Sequence, residues 1–193
     1  MSARAKGARA KGTRAKSARR KAPLTVREIV VFAMLGSIMM ISDLIMNIVP
    51  NVHLVGVMIV TLTAVYRRKA LYPIYVYVFL IGLFEGFGTW WVAYLYVWPI
   101  LWGMAMLIPP KAPRWLAAIL YSFICALHGF AFGFLWIPSQ MLFLNFTFDQ
   151  ALVWWSFGFF TADVPHGIGN LVGSILILPL VSLIRKLDKG LQH

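Results

Sequence analysis

No lysine or arginine occurs within residues 28–66, 70–110 or 115–184, and Leu, Ile, Val, Phe, Trp, Tyr and Met dominate all three intervals. Apolar runs of this length between clusters of cations constrain the fold more than any other feature. About 20 apolar residues in a helix match the thickness of a bilayer. The chain has 193 residues, 61% hydrophobic and only 12% charged. A soluble domain of that size needs a largely polar exterior, which this composition cannot supply. The expected class is an integral membrane protein, all-α, built as a six-transmembrane-helix bundle.

The runs divide into spans at 27–49, 52–66, 70–87, 90–108, 115–137 and 162–184. If the chain starts inside, every cation falls on one side. The tail and Arg27 come first, then Arg67, Arg68 and Lys69, then Lys111 and Arg114, then Arg185, Lys186 and Lys189. The positive-inside bias is complete, which predicts six crossings of the plasma membrane with both termini cytoplasmic. The segment 139–160 is apolar enough for a seventh span, but a seventh span would move Arg185, Lys186 and Lys189 outside. It is expected to be an outer loop with an interfacial or re-entrant helix, with Trp154 and Trp155 at headgroup depth.

Residues 1–24 form a separate region, ahead of a membrane domain at 25–188 and a short C-terminal tail at 189–193. Nine of the 18 basic residues lie in the first 21 positions, in five-residue units such as ARAKG. Five does not match the 3.6-residue helical period, and like charges with repeated glycine favour disorder. Such a tail suits an anionic lipid surface on the cytoplasmic side better than nucleic acid. It does not read as a cleaved signal peptide. The single cysteine, Cys125, excludes an internal disulfide.

Acidic residues follow the opposite pattern. Glu28 and Asp188 fall on the cytoplasmic side, while Asp43, Glu85, Asp149 and Asp163 fall toward the outer side, with His53 and His166 beside them and His128 deeper. A negative mouth favours neutral or cationic ligands. Asp163, His166 and Asn170 recur at i, i+3 and i+7 and share one face of the last span. Asp163 has two readings: a helix N-cap ahead of Pro165, or part of a ligand site. His166 and Asn170 lie deeper, where capping does not account for them. Trp91, Tyr94, Trp98 and Trp102 form a second stripe, suited either to packing or to stacking on a planar ligand. Pro99 interrupts that helix and is expected to bend it around a cavity. Ala33/Ser37 and Gly169/Gly173 are small-xxx-small pairs, for internal packing or for a partner. No nucleophile elbow, metalloprotease, Walker or dinucleotide motif is present, so no enzyme, cofactor or resident metal is expected. Completing a metal site around Asp163 and His166 would require His53, His128 or Glu85 to converge.

Three stretches together resemble a known family. They are VREIVVFAMLGSIMMISDLIMNIVPNVHLVGVMIVTLTAVYRRKALY, VYVFLIGLFEGFGTWWVAYLYVWPILWG and TADVPHGIGNLVGSILILPLVSLIRKL. In that order, over residues 25–188, they resemble the S components of energy-coupling factor (ECF) transporters, small six-helix vitamin-uptake proteins. The resemblance implies an ABC-type system: ligand capture from outside, docking on a membrane T subunit, and drive from two cytoplasmic ATPases. It places docking at Ala33 and Ser37. It places substrate binding at Asn51, His53, Trp91, Tyr94, Trp98, His166 and Asn170. On this reading Trp91, Tyr94 and Trp98 stack on a ring, while Asp163, His166, Asn170 and Glu85 hold its polar edge. The competing expectation is a non-transporting scaffold of cell-envelope assembly, whose polar sixth-span face would bind another helix.

Overall fold

A computed structural model describes residues 24–46, 48 and 53–190. The basic tail through residue 23 and the expected site residue Asn51 lie outside these. The chain divides into two compact units, Met1–Val31 and Phe32–His193, with the boundary inside the first helix. In the described part of the first unit, Thr25 and Glu28 form a reciprocal cap. The Glu28 carboxylate accepts from the Thr25 N–H at 3.0 Å, and Thr25 Oγ1 accepts from the Glu28 N–H at 3.2 Å. Two otherwise unpaired donors are satisfied this way, and helix α1 (Val26–Met46) begins there.

The described residues contain no strand. In the second unit, α1 buries Phe32, Gly36, Met39 and Asp43, and exposes Met34, Ile38, Ile41 and Ile45. α2 (Val55–Tyr66) is the central helix; Val55, Val57, Ile59, Val60 and Leu62 are at most 1% exposed. A helix apolar on all sides has to be surrounded by others. After a 3₁₀ turn at Arg67–Ala70, α3 (Leu71–Glu85) runs to Gly86, whose φ of 94° ends it. α4 (Thr89–Met106) packs on α2, and α5 (Arg114–Phe130) leads into a single-turn helix, α6 (Phe132–Leu135).

Next come α7 (Ile137–Leu144), a reversal at left-handed Asn145, and α8 (Phe148–Gly158), which a Thr147–Gln150 capping box starts. α8 continues through a π turn at Phe159–Asp163 into α9 (Val164–Gly173), a 3₁₀ turn at Ser174–Leu176 and α10 (Ile177–Gly190). Pro165 has no N–H for the Thr161 carbonyl, so the regular ladder fails there. The Val164 N–H bonds to Phe159 O instead, one residue farther back.

Two helical segments are long and apolar enough to cross a membrane, Val26–Met46 and the continuous Phe148–Gly190 of 43 residues. The second starts ahead of the expected last span at 162–184: the helix expected within 139–160 is present as α7 and α8, and α8 is the first part of the same rod. At 1.5 Å per residue the rod is about 65 Å long, roughly twice a hydrocarbon core. Helix also continues past residue 188, where a tail was expected. α2, α3 and α5 have 12, 15 and 17 residues, fewer than the usual span.

Close backbone approach sets two helix crossings. A Cβ on Gly129 of α5 would sit 2.7 Å from Gly167 Cα of α9, the most extensive helix pair. Of the expected small pair Gly169/Gly173, Gly173 faces Val57 of α2. Gly36 seats α1 on α3, where a Cβ would lie 2.5 Å from Val76 Cγ1 and 2.9 Å from Pro73 O. Gly36→Val should therefore destabilise the protein by about 1–3 kcal/mol, the usual cost of overpacking. A methyl group added at Gly103 would meet nothing within 4 Å. Gly103→Ala should leave stability unchanged or raise it by about 0.5–1 kcal/mol. Thermal unfolding of the detergent-solubilised variants checks both.

Candidate ligand-binding site

Polar side chains in the apolar interior mostly donate to backbone carbonyls. Pro99 leaves the Leu95 carbonyl of α4 without its helical donor, and the Tyr75 hydroxyl of α3 supplies one at 3.1 Å. Arg67, at a strained φ of 53°, donates to Met106 O at 2.6 Å and Ile108 O at 3.0 Å, closing the C-terminus of α4. Arg185 donates to Ala64 O at 3.1 Å near the end of α2. Cations at helix C-termini also complement the helix dipole.

The N-terminal end of α2 has a different environment. His53, just before α2, lies 4.5 Å from His166 of α9 between ring centroids and 5.9 Å from Trp98 of α4. His166 lies 4.4 Å from Phe132 of α6, and Phe132 lies 5.3 Å from Trp98. His128 of α5 closes the group, 5.7 Å from Trp98 and 5.9 Å from Phe132. The Trp98, His128 and His166 side chains are at most 3% exposed. Asn170 lies one turn deeper than His166, and its Oδ1 would be 2.9 Å from a Cβ on Gly56.

Within this group several buried polar atoms lack a protein partner: His53 Nδ1, His128 Nδ1, His166 Nε2, Trp98 Nε1 and Asn170 Oδ1. His128 Nε2 sits 3.0 Å from Val97 O, an acceptor, so that nitrogen carries the proton. Nδ1 of the neutral ring is then an acceptor. Asn170 Nδ2 donates to Cys125 O at 3.1 Å, which fixes the amide and leaves its oxygen as an acceptor. A buried polar atom without a partner costs about 1–3 kcal/mol, so five in one group mark a place built for polar contact. Donors and acceptors occur together among aromatic faces. That combination suits a flat molecule with a mixed hydrogen-bonding edge, such as a heteroaromatic ring.

A cleft of about 220 Å³ adjoins this group across Phe132, lined also by Gly133, Trp136, Gln140, Trp155 and Asp163. Tyr94 connects the two, 5.3 Å from Trp98 and 6.1 Å from Trp136. Asp163 is 2% exposed and does not cap a helix; its oxygens accept from Gly133 N–H at 2.8 Å and Trp155 Nε1 at 2.6 Å. The N-cap reading of Asp163 is thereby corrected: the helix passes straight through it, and its carboxylate fastens α6 and α8 together.

Other expected site residues are placed elsewhere. Trp91 donates its indole N–H to Val78 O at 2.7 Å and packs on Phe87, fastening α3 to α4. Glu85 is exposed at the end of α3. Trp102, from the same stripe as Trp91, donates to Arg67 O at 3.0 Å. His128 and Phe132 were missing from the expected site; a histidine inside an apolar span was the available signal for the first. The Asp43–Tyr77 pair was also missing. The Tyr77 hydroxyl donates to the buried Asp43 carboxylate at 2.8 Å, and its ring lies 6.2 Å from Trp98. Among the described residues no group of three or more His, Cys, Asp or Glu could hold a metal ion.

Known protein families, curated proteins and solved structures yield no match to the chain.

Asp163→Asn replaces one acceptor oxygen with an NH₂ group facing a donor, either Gly133 N–H or the Trp155 indole. It should cost about 1–3 kcal/mol of stability, measured by thermal unfolding, and change the Trp155 fluorescence environment. Glu85→Gln should leave both unchanged.

Proposed function

We propose that this chain is the substrate-binding subunit of an uptake system of the energy-coupling-factor type. It crosses the plasma membrane six times with both termini in the cytoplasm, and captures a small neutral or cationic heteroaromatic metabolite from outside. The observation that carries this reading is the group of His53, Trp98, His128, Phe132 and His166, with unpartnered polar atoms among stacked rings. It surrounds the N-terminal end of α2, while Arg67 and Arg185 gather at the other end, about 18 Å away for a 12-residue helix. Separation of a ligand group from the cations supports the assigned orientation, because cations are retained on the cytoplasmic side.

The exposed surface supports a membrane setting. Large apolar side chains face outward on most helices, including Phe79, Phe84, Ile119, Phe123, Leu171 and Ile175. A soluble monomer rarely shows so much contiguous apolar surface. The short helices cross with local bilayer thinning and snorkelling of flanking residues, and the 43-residue rod projects beyond the lipid on one side. Ala33 is exposed and Ser37 half-buried, its hydroxyl donating to Ala33 O at 2.9 Å. They lie near exposed Met34, Ile38 and Ile41, and this small-residue and apolar stretch of α1 is the proposed docking surface for a T subunit. ATPase subunits supply the energy.

The adjoining cleft of about 220 Å³ falls below the usual 300–1,000 Å³ of small-molecule sites, which favours a single ring unless Phe132 moves. Native mass spectrometry of gently purified protein should show one small-molecule adduct. His166→Ala and Asn170→Leu should each remove it, weakening retention about tenfold or more, while the protein remains folded. No adduct in wild type, together with co-purification of envelope-assembly proteins in place of a T subunit and ATPases, would overturn the uptake reading and favour a scaffold.

A further inference from the structure

At the cation end lies a second cavity of about 260 Å³, walled by the Pro109–Pro110 corner, the first turns of α5 and the middle of α10. Its lining includes Arg114, Tyr121, Ser182 and Arg185, and no carboxylate. Arg114 is exposed and makes no hydrogen bond or ion pair among the described residues. Arg185 approaches from α10, held in place by its bond to Ala64 O. The Ser182 hydroxyl donates to Leu178 O at 2.9 Å, so its oxygen remains able to accept. Two guanidinium groups, one from α5 and one from α10, line the same recess with no acid in its lining, an arrangement that suits phosphate because the planar donor fork matches phosphate oxygens.

The surroundings narrow the ligand further. Outside the cavity, Trp115 and Ile119 on α5 are 67% and 59% exposed, and Leu183 and Leu187 on α10 are 50% and 57% exposed. A charged recess thus opens between apolar ridges on both helices. The volume is below that of ordinary metabolite sites and suits a headgroup-sized anion.

We propose that this cavity binds a phosphate ester, its anionic oxygens held between Arg114 and Arg185 and its apolar portion, where present, lying along α5 and α10. The same phosphate chemistry occurs in an anionic phospholipid headgroup and in a soluble phosphate monoester. The site is separate from the aromatic group at the other end of α2 and does not depend on what that group binds.

The test uses the full-length protein in detergent and in nanodiscs. With phosphatidylglycerol and phosphatidylcholine present in equal amount, native mass spectrometry should show preferential retention of phosphatidylglycerol. Arg114→Gln removes one guanidinium from an exposed position and should reduce that retention about tenfold. Ala117→Leu leaves every charge in place but fills the cavity wall, and should reduce retention equally. A parallel arm adds glycerol 3-phosphate or inorganic phosphate to delipidated protein. Thermal stabilisation of wild type but not of Arg114→Gln, without lipid preference, identifies a soluble ester as the ligand. Equal retention of the two lipids together with no stabilisation by either soluble phosphate overturns the site. So does unchanged binding in Arg114→Gln, whether or not Ala117→Leu folds.

Discussion

Backbone carbonyls in an apolar setting have no water to accept from, and the organisation of this molecule follows from meeting that need. Where a helix ends, kinks at proline or runs beside another helix, a side-chain donor from a neighbouring element reaches its carbonyls. Arg67 serves the end of α4, Arg185 the end of α2, Tyr75 the carbonyl left by Pro99, and Trp102 the Arg67 carbonyl. Trp91, His128 and Asn170 donate in the same way. Each such bond also joins two helices, so the polar side chains that satisfy the backbone also set how the helices sit. An unmet carbonyl at these depths would cost several kcal/mol, more than a single surface ion pair returns.

The aromatic and histidine group at the N-terminal end of α2 stands out against that background. Asp163, the most conspicuous acid in the sequence, has both oxygens engaged in fastening α6 to α8, and Trp91 is similarly engaged with α3. His53, His128, His166, Trp98 and Asn170 retain atoms that no part of the protein meets. Another atom of the same side chain can still fasten a helix, as in His128 and Asn170, while of two tryptophans in one stripe of α4 Trp91 has its indole N–H engaged and Trp98 does not.

Much of this was legible from residue order alone. Hydropathy located helices in all six apolar runs, and the spacing of His166 and Asn170 placed both on an inward face. The joint between α8 and α9 was less legible. A proline at the head of an apolar run reads as a helix start, yet a π turn absorbs Pro165 and the helix continues. That extra residue per turn also rotates Asp163 relative to His166, so a face drawn at 100° per residue does not hold across the joint. Phe132 was harder still, since nothing local distinguishes one aromatic in an apolar run from another.

By itself the sequence determined the class of structure and the placement of its charges: helices, because an apolar backbone has to satisfy its own hydrogen bonds, and cations confined between the apolar runs. Tertiary structure decided which polar groups face one another. Only the crossing of α5 and α9 at Gly129 and Gly167 brings Asn170 against Cys125, and only the turn at Phe132 brings His128 and His166 around one space. The Cys125–Asn170 and Phe132–His166 contacts join residues tens of positions apart, and their distances are set by packing, which no local period encodes.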